Sequence, residues 1–147
     1  VDKMDEKTRR ALILEMFNVF GSIHGRTFLQ KIFYVLDKEE HVEAFEYIPY
    51  HYGPYSKQLN NLVSCLVSEG MVEEKIIETD KSEYYLYKLT ETGKQEIKRH
   101  SALISSFRPK ISALHTRFQD FKPIELLKYV YRKYPASTVM SIYGGER

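Results

Sequence analysis

Tryptophan is missing from these 147 residues, and cysteine occurs once, at position 65. A single thiol excludes an internal disulfide framework and fits a reducing compartment, so a cytoplasmic protein is expected. No apolar run approaches the roughly 18 residues a membrane helix needs, and no charged-then-apolar leader opens the chain. Membrane association is therefore not expected. Hydrolase and nucleotide-binding signatures are missing as well: there is no GxxxxGKS loop, no GxGxxG and no GxSxG. His24, His41, His51, His100 and His115 form neither HExxH nor a recognisable ligand spacing, and Cys65 has no cysteine partner. Cys65 falls inside a helical pattern beside its apolar stripe, which reads as a small packed thiol. No catalytic residue, metal ligand or cofactor is expected, and the chain reads as non-enzymatic.

Aromatic residues are abundant, with 12 Tyr and 8 Phe. Charge is unevenly spread. Residues 1–93 hold 11 Lys/Arg against 16 Asp/Glu, a net −5, whereas residues 94–147 hold 11 against 4, a net +7. Such a split fits an anionic partner for the basic half, or self-association through opposite fields.

The local signals run in a definite order. Leu12, Ile13, Met16, Phe17 and Phe20 follow helical spacing from about Asp5, and Gly21 stands where that helix would stop. "SIHGR" reads as a polar link to a second helix capped by Thr27, with Phe28, Ile32, Val35 and Leu36 inward. "AFEYIPY" (44–50) reads as a short edge strand, because Pro49 cannot donate to a ladder. Gly53-Pro54 is a turn, and Ser56 can cap a helix over about 57–69 that Gly70 terminates. Its apolar face is Leu59, Leu62, Val63, Leu66 and Val67. "MVEEKIIE", "TDKS" and "EYYLYKL" make a hairpin over 71–89, and "LTETGKQEI" restarts a helix at Thr90 or Thr92. Two further helices open at Pro109 and Pro123.

Helix, helix, short strand, helix, hairpin, helix is the order of a winged helix. The fold expected is α+β and mainly helical: a winged helix-turn-helix with a small antiparallel sheet and a C-terminal helical extension. Residues 1–105 would form the winged-helix domain. Residues 106–147 would form the extension, packed on the same core or serving as a dimer interface. Its stripes (Ile111, Leu114, Phe118; Leu127, Val130, Tyr134) exceed what one small core needs, which favours a homodimer.

"GRTFLQKIFYVLDKE", "YHYGPYSKQLNNLVSCLVSEGMVEE" and "YKLTETGKQEI" resemble the YwgA-type proteins of bacteria and archaea. They are more distantly similar to SocA-type antitoxin (Panacea) domains. The likeness covers about residues 10–100, with a weaker echo at "YVYRKYPASTVMS". The resemblance implies binding of proteins, sometimes of DNA, and supplies no catalytic residue.

Function is expected on the helix after Ser56. Its exposed face would carry Lys57, Gln58, Asn60, Asn61, Ser64 and Ser68, and amide side chains there can pair with adenine in a major groove. Arg26, with His24 and Lys31 nearby, could hold a phosphate at a helix N-terminus, and Lys98 and Arg99 supply cations from the basic half. Tyr50, Tyr52 and Tyr55 are either stacking platforms or rings packed round a corner. The expected function is duplex DNA binding by a transcriptional regulator, with Arg26, Lys57, Gln58, Asn60, Asn61, Ser64, Lys98 and Arg99 as the DNA-binding residues. The alternative is a protein–protein interaction module, antitoxin-like or adaptor, on the same scaffold without DNA. Two features favour it: the acidic hairpin "EEKIIETDKSE", and the roughly 17-residue link before the third helix, where a tight helix-turn-helix uses 3–4.

Overall fold

The computed structural model describes residues 4–138. The last residues of the "YVYRKYPASTVMS" echo, and the end of the expected extension, lie outside the described residues. Asp5 caps the first helix, α1 (Glu6–Phe20), by accepting from the Thr8 amide at 2.8 Å, and Gly21 ends it at φ 81°. Next come strand β1 (Ser22–His24) and helix α2 (Arg26–Glu39). The link to the third helix holds a two-stranded ribbon, β2 (Ile48–Tyr50) and β3 (Gly53–Tyr55), paired Ile48 with Tyr55 and Tyr50 with Gly53. Helix α3 (Lys57–Ser68) follows, then β4 (Val72–Glu78), β5 (Glu83–Leu89) and α4 (Glu91–Arg99). A short α5 (Ser101–Ile104), α6 (Arg108–Phe118), α7 (Pro123–Lys133) and a 3-10 turn (Pro135–Thr138) complete the described chain. The protein is α+β and mainly helical, with a small antiparallel sheet of order β1-β5-β4.

Three local expectations need correction. "SIHGR" is not merely a link: Ser22, Ile23 and His24 pair with Lys88, Tyr87 and Leu86 and add a third strand to the hairpin. Thr27 does not cap α2. The helix begins at Arg26 behind Gly25, whose φ of 91° lets the chain turn out of β1. Of the strand expected over 44–50, only 48–50 pairs; the preceding residues join no strand.

Helix α2 is the centre of the molecule. Every residue from Phe28 to Asp37 is buried, so apolar and polar sides alike face protein. The apolar stripes of α6 and α7 close on it: Ile111, Leu114, Phe118, Leu126 and Val130 belong to one core cluster with α1, α2 and α3. Those stripes, from which a dimer was expected, are consumed within the chain.

Ion pairs fasten the same layers. Glu39, at the end of α2, receives Arg117 at 2.7 Å and Lys133 at 2.9 Å, together with the hydroxyls of Tyr129 (2.7 Å) and Tyr134 (2.8 Å). Burial alone would raise its pKa. The four donors outweigh that and hold the carboxyl at about 2. Glu15, fully buried on α1, takes Arg108 at 2.6 Å.

Candidate interaction surface around helix α3

Helix α3 is held at both ends. At its start the Ser56 hydroxyl accepts from the Leu59 amide (3.1 Å), while the Ser56 backbone is gripped by buried Gln30. At its finish Glu69 forms a two-point ion pair with Arg10 of α1. Gly70 turns the chain at φ 78° into β4, against which α3 packs. Leu59, Leu62, Val63 and Leu66 are buried as the spacing predicts, and Val67 is half-buried. The opposite face is open: Lys57, Gln58, Asn61, Ser64 and Ser68 are exposed, and Asn60 is half-buried. Cys65 is exposed too, contrary to the packed thiol expected, because the buried stripe turns past it between Leu62 and Leu66.

The cations expected to join this face are placed elsewhere. Arg26 stacks its guanidinium 3.8 Å over the Tyr85 ring, beside Tyr87 and Glu74 of the hairpin. Lys98 and Arg99 lie on α4, which packs on α1; Arg99 pairs with Glu96 at 3.3 Å. Arg108, Arg117 and Lys133 are the partners of Glu15 and Glu39. The structure therefore brings together Lys57, Gln58, Asn60, Asn61 and Ser64 on one helix, and leaves Arg26, Lys98 and Arg99 on other elements.

Lys31 does not stand ready for an anion. It is 2% exposed, and its Nζ donates to the Pro54 carbonyl at 2.9 Å. Burial brings its pKa down to about 7. Tyr50, Tyr52 and His51 crown the β2–β3 ribbon. Tyr50 lies against His51 (4.5 Å between centroids) and Tyr55 (5.1 Å), so the rings wrap the corner, yet Tyr50 and Tyr52 each remain 46% exposed.

Sequence reasoning missed the groove at the start of α3. It measures about 1140 Å³ and runs between the N-terminus of α1 (Met4, Asp5, Thr8, Arg9), residues 42–48 and the Tyr55–Gln58 corner. Asp37 holds its floor from behind, accepting the amides of Ala44 (2.9 Å) and Phe45 (3.0 Å), and Arg9 donates to the Ala44 carbonyl at 2.7 Å. Burial raises the Asp37 carboxyl to about 6, against those two amide bonds. His41 (φ 55°) and Glu43 (φ 56°) occupy the left-handed region, uncommon for residues other than glycine.

No family model matches the chain. It is similar to the uncharacterized protein YwgA of Bacillus subtilis (strain 168), 29% identical over 113 residues, which span 76% of this chain and 67% of that protein. This similarity supports the YwgA-type resemblance. No helix among the described residues is long and apolar enough to cross a membrane.

Proposed function

We propose that this chain is a winged-helix protein-interaction module, non-catalytic, whose α3 side engages another protein. The element order α1-β1-α2-α3-β4-β5 with the sheet order β1-β5-β4 supports the winged-helix reading, β4 and β5 forming the wing. The observation that carries the function is the charge around α3. Its N-terminal end meets Asp5, Glu43 and Glu46 in the groove, and its flank packs on a hairpin with five acids against three lysines over 72–89. A phosphate backbone laid along that helix would meet net negative charge on both sides. Three basic residues of the C-terminal half, Arg108, Arg117 and Lys133, are spent on the carboxylates of Glu15 and Glu39 instead.

Duplex DNA binding is the second reading, favoured by one specific observation: the exposed, nearly uncharged amide and hydroxyl face of Gln58, Asn61, Ser64 and Ser68. Titrating a labelled mixed-sequence duplex with the purified chain at several salt concentrations separates the two. The protein-binding reading expects no salt-steep association. A log–log slope near −0.9 per phosphate contacted, with binding lost in a Lys57→Ala/Asn61→Ala variant of unchanged melting temperature, would reverse the preference. A stoichiometric protein partner, reconstituted from purified components, is the positive outcome.

A further inference from the structure

We infer that the outer edge of β4 takes an added strand from a partner protein, one that carries a basic residue opposite Glu78 followed by two aliphatic residues opposite Ile77 and Ile76. The inference rests on the protein-binding reading above. It assigns that reading a surface beside α3, which packs on β4, and a ligand chemistry.

Strand β4 ends the sheet order β1-β5-β4, so one of its long sides has no neighbouring strand. Its residues pair with β5 without a break, from Val72 opposite Leu89 to Glu78 opposite Glu83, and none of them is proline. That ladder uses the amides and carbonyls of alternate residues, and the others point away from β5. Among the described residues, no backbone group of Val72–Glu78 bonds to main chain outside the hairpin. Glu73, Glu74, Lys75 and Ile76 are exposed in succession. This is a regular strand, already ordered by β5, with a row of open main-chain groups along it. Strand addition uses that geometry, and the prior order of β4 lowers the entropy lost on binding.

The side chains along this edge select the occupant. Val72, Glu74, Ile76 and Glu78 share the face on which Tyr87 and Leu89 are buried, and Glu73, Lys75 and Ile77 share the other. Ile76 is 54% exposed and Ile77 half-buried, so apolar surface stands open at consecutive positions, one on each face. Two successive aliphatic residues of an added strand would cover both. Most of the charge is already answered within the chain. Glu73 pairs with Lys75 at 3.7 Å, and Glu74 lies beside Tyr87 and Arg26. Glu78 and Glu83 are the exception: they face each other directly, both are exposed, and neither is in an ion pair among the described residues. Like charges set opposite each other weaken a ladder, and a cation placed beside Glu78 relieves the pair.

A second copy of this chain does not supply that strand. In an antiparallel pair of identical strands related by a two-fold axis, residues equally far from the axis face each other. With the axis at Glu74, the two Glu74 carboxylates oppose each other; at Lys75, the two lysines do; at Ile76, Glu74 opposes Glu78 twice. Each register that overlaps most of β4 therefore carries a like-charge pair, and the edge is closed to self-association while open to a different sequence.

The probes are two end-blocked hexapeptides, Lys-Val-Val-Thr-Thr-Thr and Glu-Val-Val-Thr-Thr-Thr. Each is titrated into the full chain while the chain's backbone amide resonances and their deuterium exchange are followed. The lysine peptide is expected to bind about fivefold tighter than the glutamate peptide. It should shift β4 ahead of every other element and slow exchange at alternate β4 amides, the set that points away from β5. Glu78→Lys should turn the preference toward the glutamate peptide without lowering the melting temperature. Equal affinity for the two peptides, no binding of either, or exchange protection that misses β4 overturns the assignment. Shifts centred on Gln58, Asn61 and Ser64 with β4 unmoved also overturn it, while leaving the protein-binding reading intact. That reading falls separately, through salt-steep duplex binding.

Discussion

Gln30 and Ser56 hold each other by two hydrogen bonds: the Ser56 amide donates to Gln30 Oε1 at 2.8 Å, and Gln30 Nε2 donates back to the Ser56 carbonyl at 3.0 Å. Both residues are buried, and the next residue of α2, Lys31, reaches the Pro54 carbonyl. Through this clasp the central helix decides where α3 begins. It also joins the two sequence blocks, "LQK" and "YGPYS", that carry the family resemblance most clearly.

Replacing Gln30 by alanine should therefore cost about as much as truncating a core side chain. Two buried backbone groups at Ser56 lose their partner at once, and each such loss is worth about 1–3 kcal/mol. Gln30→Ala is expected to lower unfolding stability by about 2–4 kcal/mol, read from the denaturant midpoint. Gln30→Glu would bury a carboxylate with one oxygen against the Ser56 carbonyl and should cost at least as much at neutral pH. A Gln30→Ala chain as stable as the parent would mean that the clasp is not what seats α3.

Stability should pass through a trough between about pH 6 and pH 7. Lys31 has an ordinary pKa of 10.5 and a folded value of about 7. Between those limits the unfolded chain holds a proton that the folded chain has shed, so stability rises with pH. Asp37 runs the other way. Its pKa rises from 3.8 to about 6, the folded chain holds the extra proton, and stability falls as pH climbs through that interval. Melting temperatures across pH 4–10 check both limbs. Lys31→Met should flatten the alkaline limb alone; an alkaline limb that survives in this variant would assign the effect to other groups.

What the sequence made legible was local. Ser56 as a cap, Gly70 as a left-handed stop, the hairpin expected over 71–89 and a helix restarting at Thr90 or Thr92 each declare themselves within a few residues, and of the two threonines it is Thr90 that caps α4. What escaped was decided by distant partners. β1 is three residues long and has no strand pattern of its own; it exists because β5 offers an edge. Lys31 was expected beside a phosphate near Arg26 since helical periodicity supposes one wet face, and α2 has almost none. Arg108, Arg117 and Lys133 of the basic half find their acids, Glu15 and Glu39, on α1 and α2, far away along the chain. The candidate site divided along the same line. The open face of α3 followed from spacing, whereas the groove depends on backbone angles at His41 and Glu43 that no composition rule encodes.

Glu39 should behave as the lock between α2 and the last helices. Its folded pKa of about 2 lies below the ordinary 4.5, so it contributes stability above about pH 4.5 and loses it as pH falls toward 2. Glu39→Gln keeps hydrogen-bonding capacity for Tyr129 and Tyr134 but removes the charge facing Arg117 and Lys133. Acid unfolding of this variant should show a shallower pH dependence, and amide exchange should accelerate in α6 and α7 before α1. Equal acceleration across the molecule would place the lock elsewhere.

Gly93 should reverse the usual rule for glycine in a helix. Exchanging a helical glycine for alanine ordinarily stabilises by about 1 kcal/mol. Here the first turn of α4 is drawn against the start of β4: Thr90 Oγ1 donates to the Gly70 carbonyl at 2.6 Å and accepts the Gly93 amide at 3.1 Å. A methyl group on Gly93 would lie 2.3 Å from the Met71 carbonyl oxygen and 2.7 Å from Leu89 Cδ1. The leucine can yield, but the carbonyl belongs to the backbone, and the Thr90 amide donates to the same oxygen at 3.1 Å. Gly93→Ala is therefore expected to destabilise by about 1–3 kcal/mol, the scale of overpacking in a tight core. Thr92→Ala, an exposed neighbour on the same turn, serves as the control and should stay within about 0.5 kcal/mol of the parent. A stabilised Gly93→Ala chain would show that α4 can lift from β4 without cost, and that the "TETG" glycine answers to helix propensity after all.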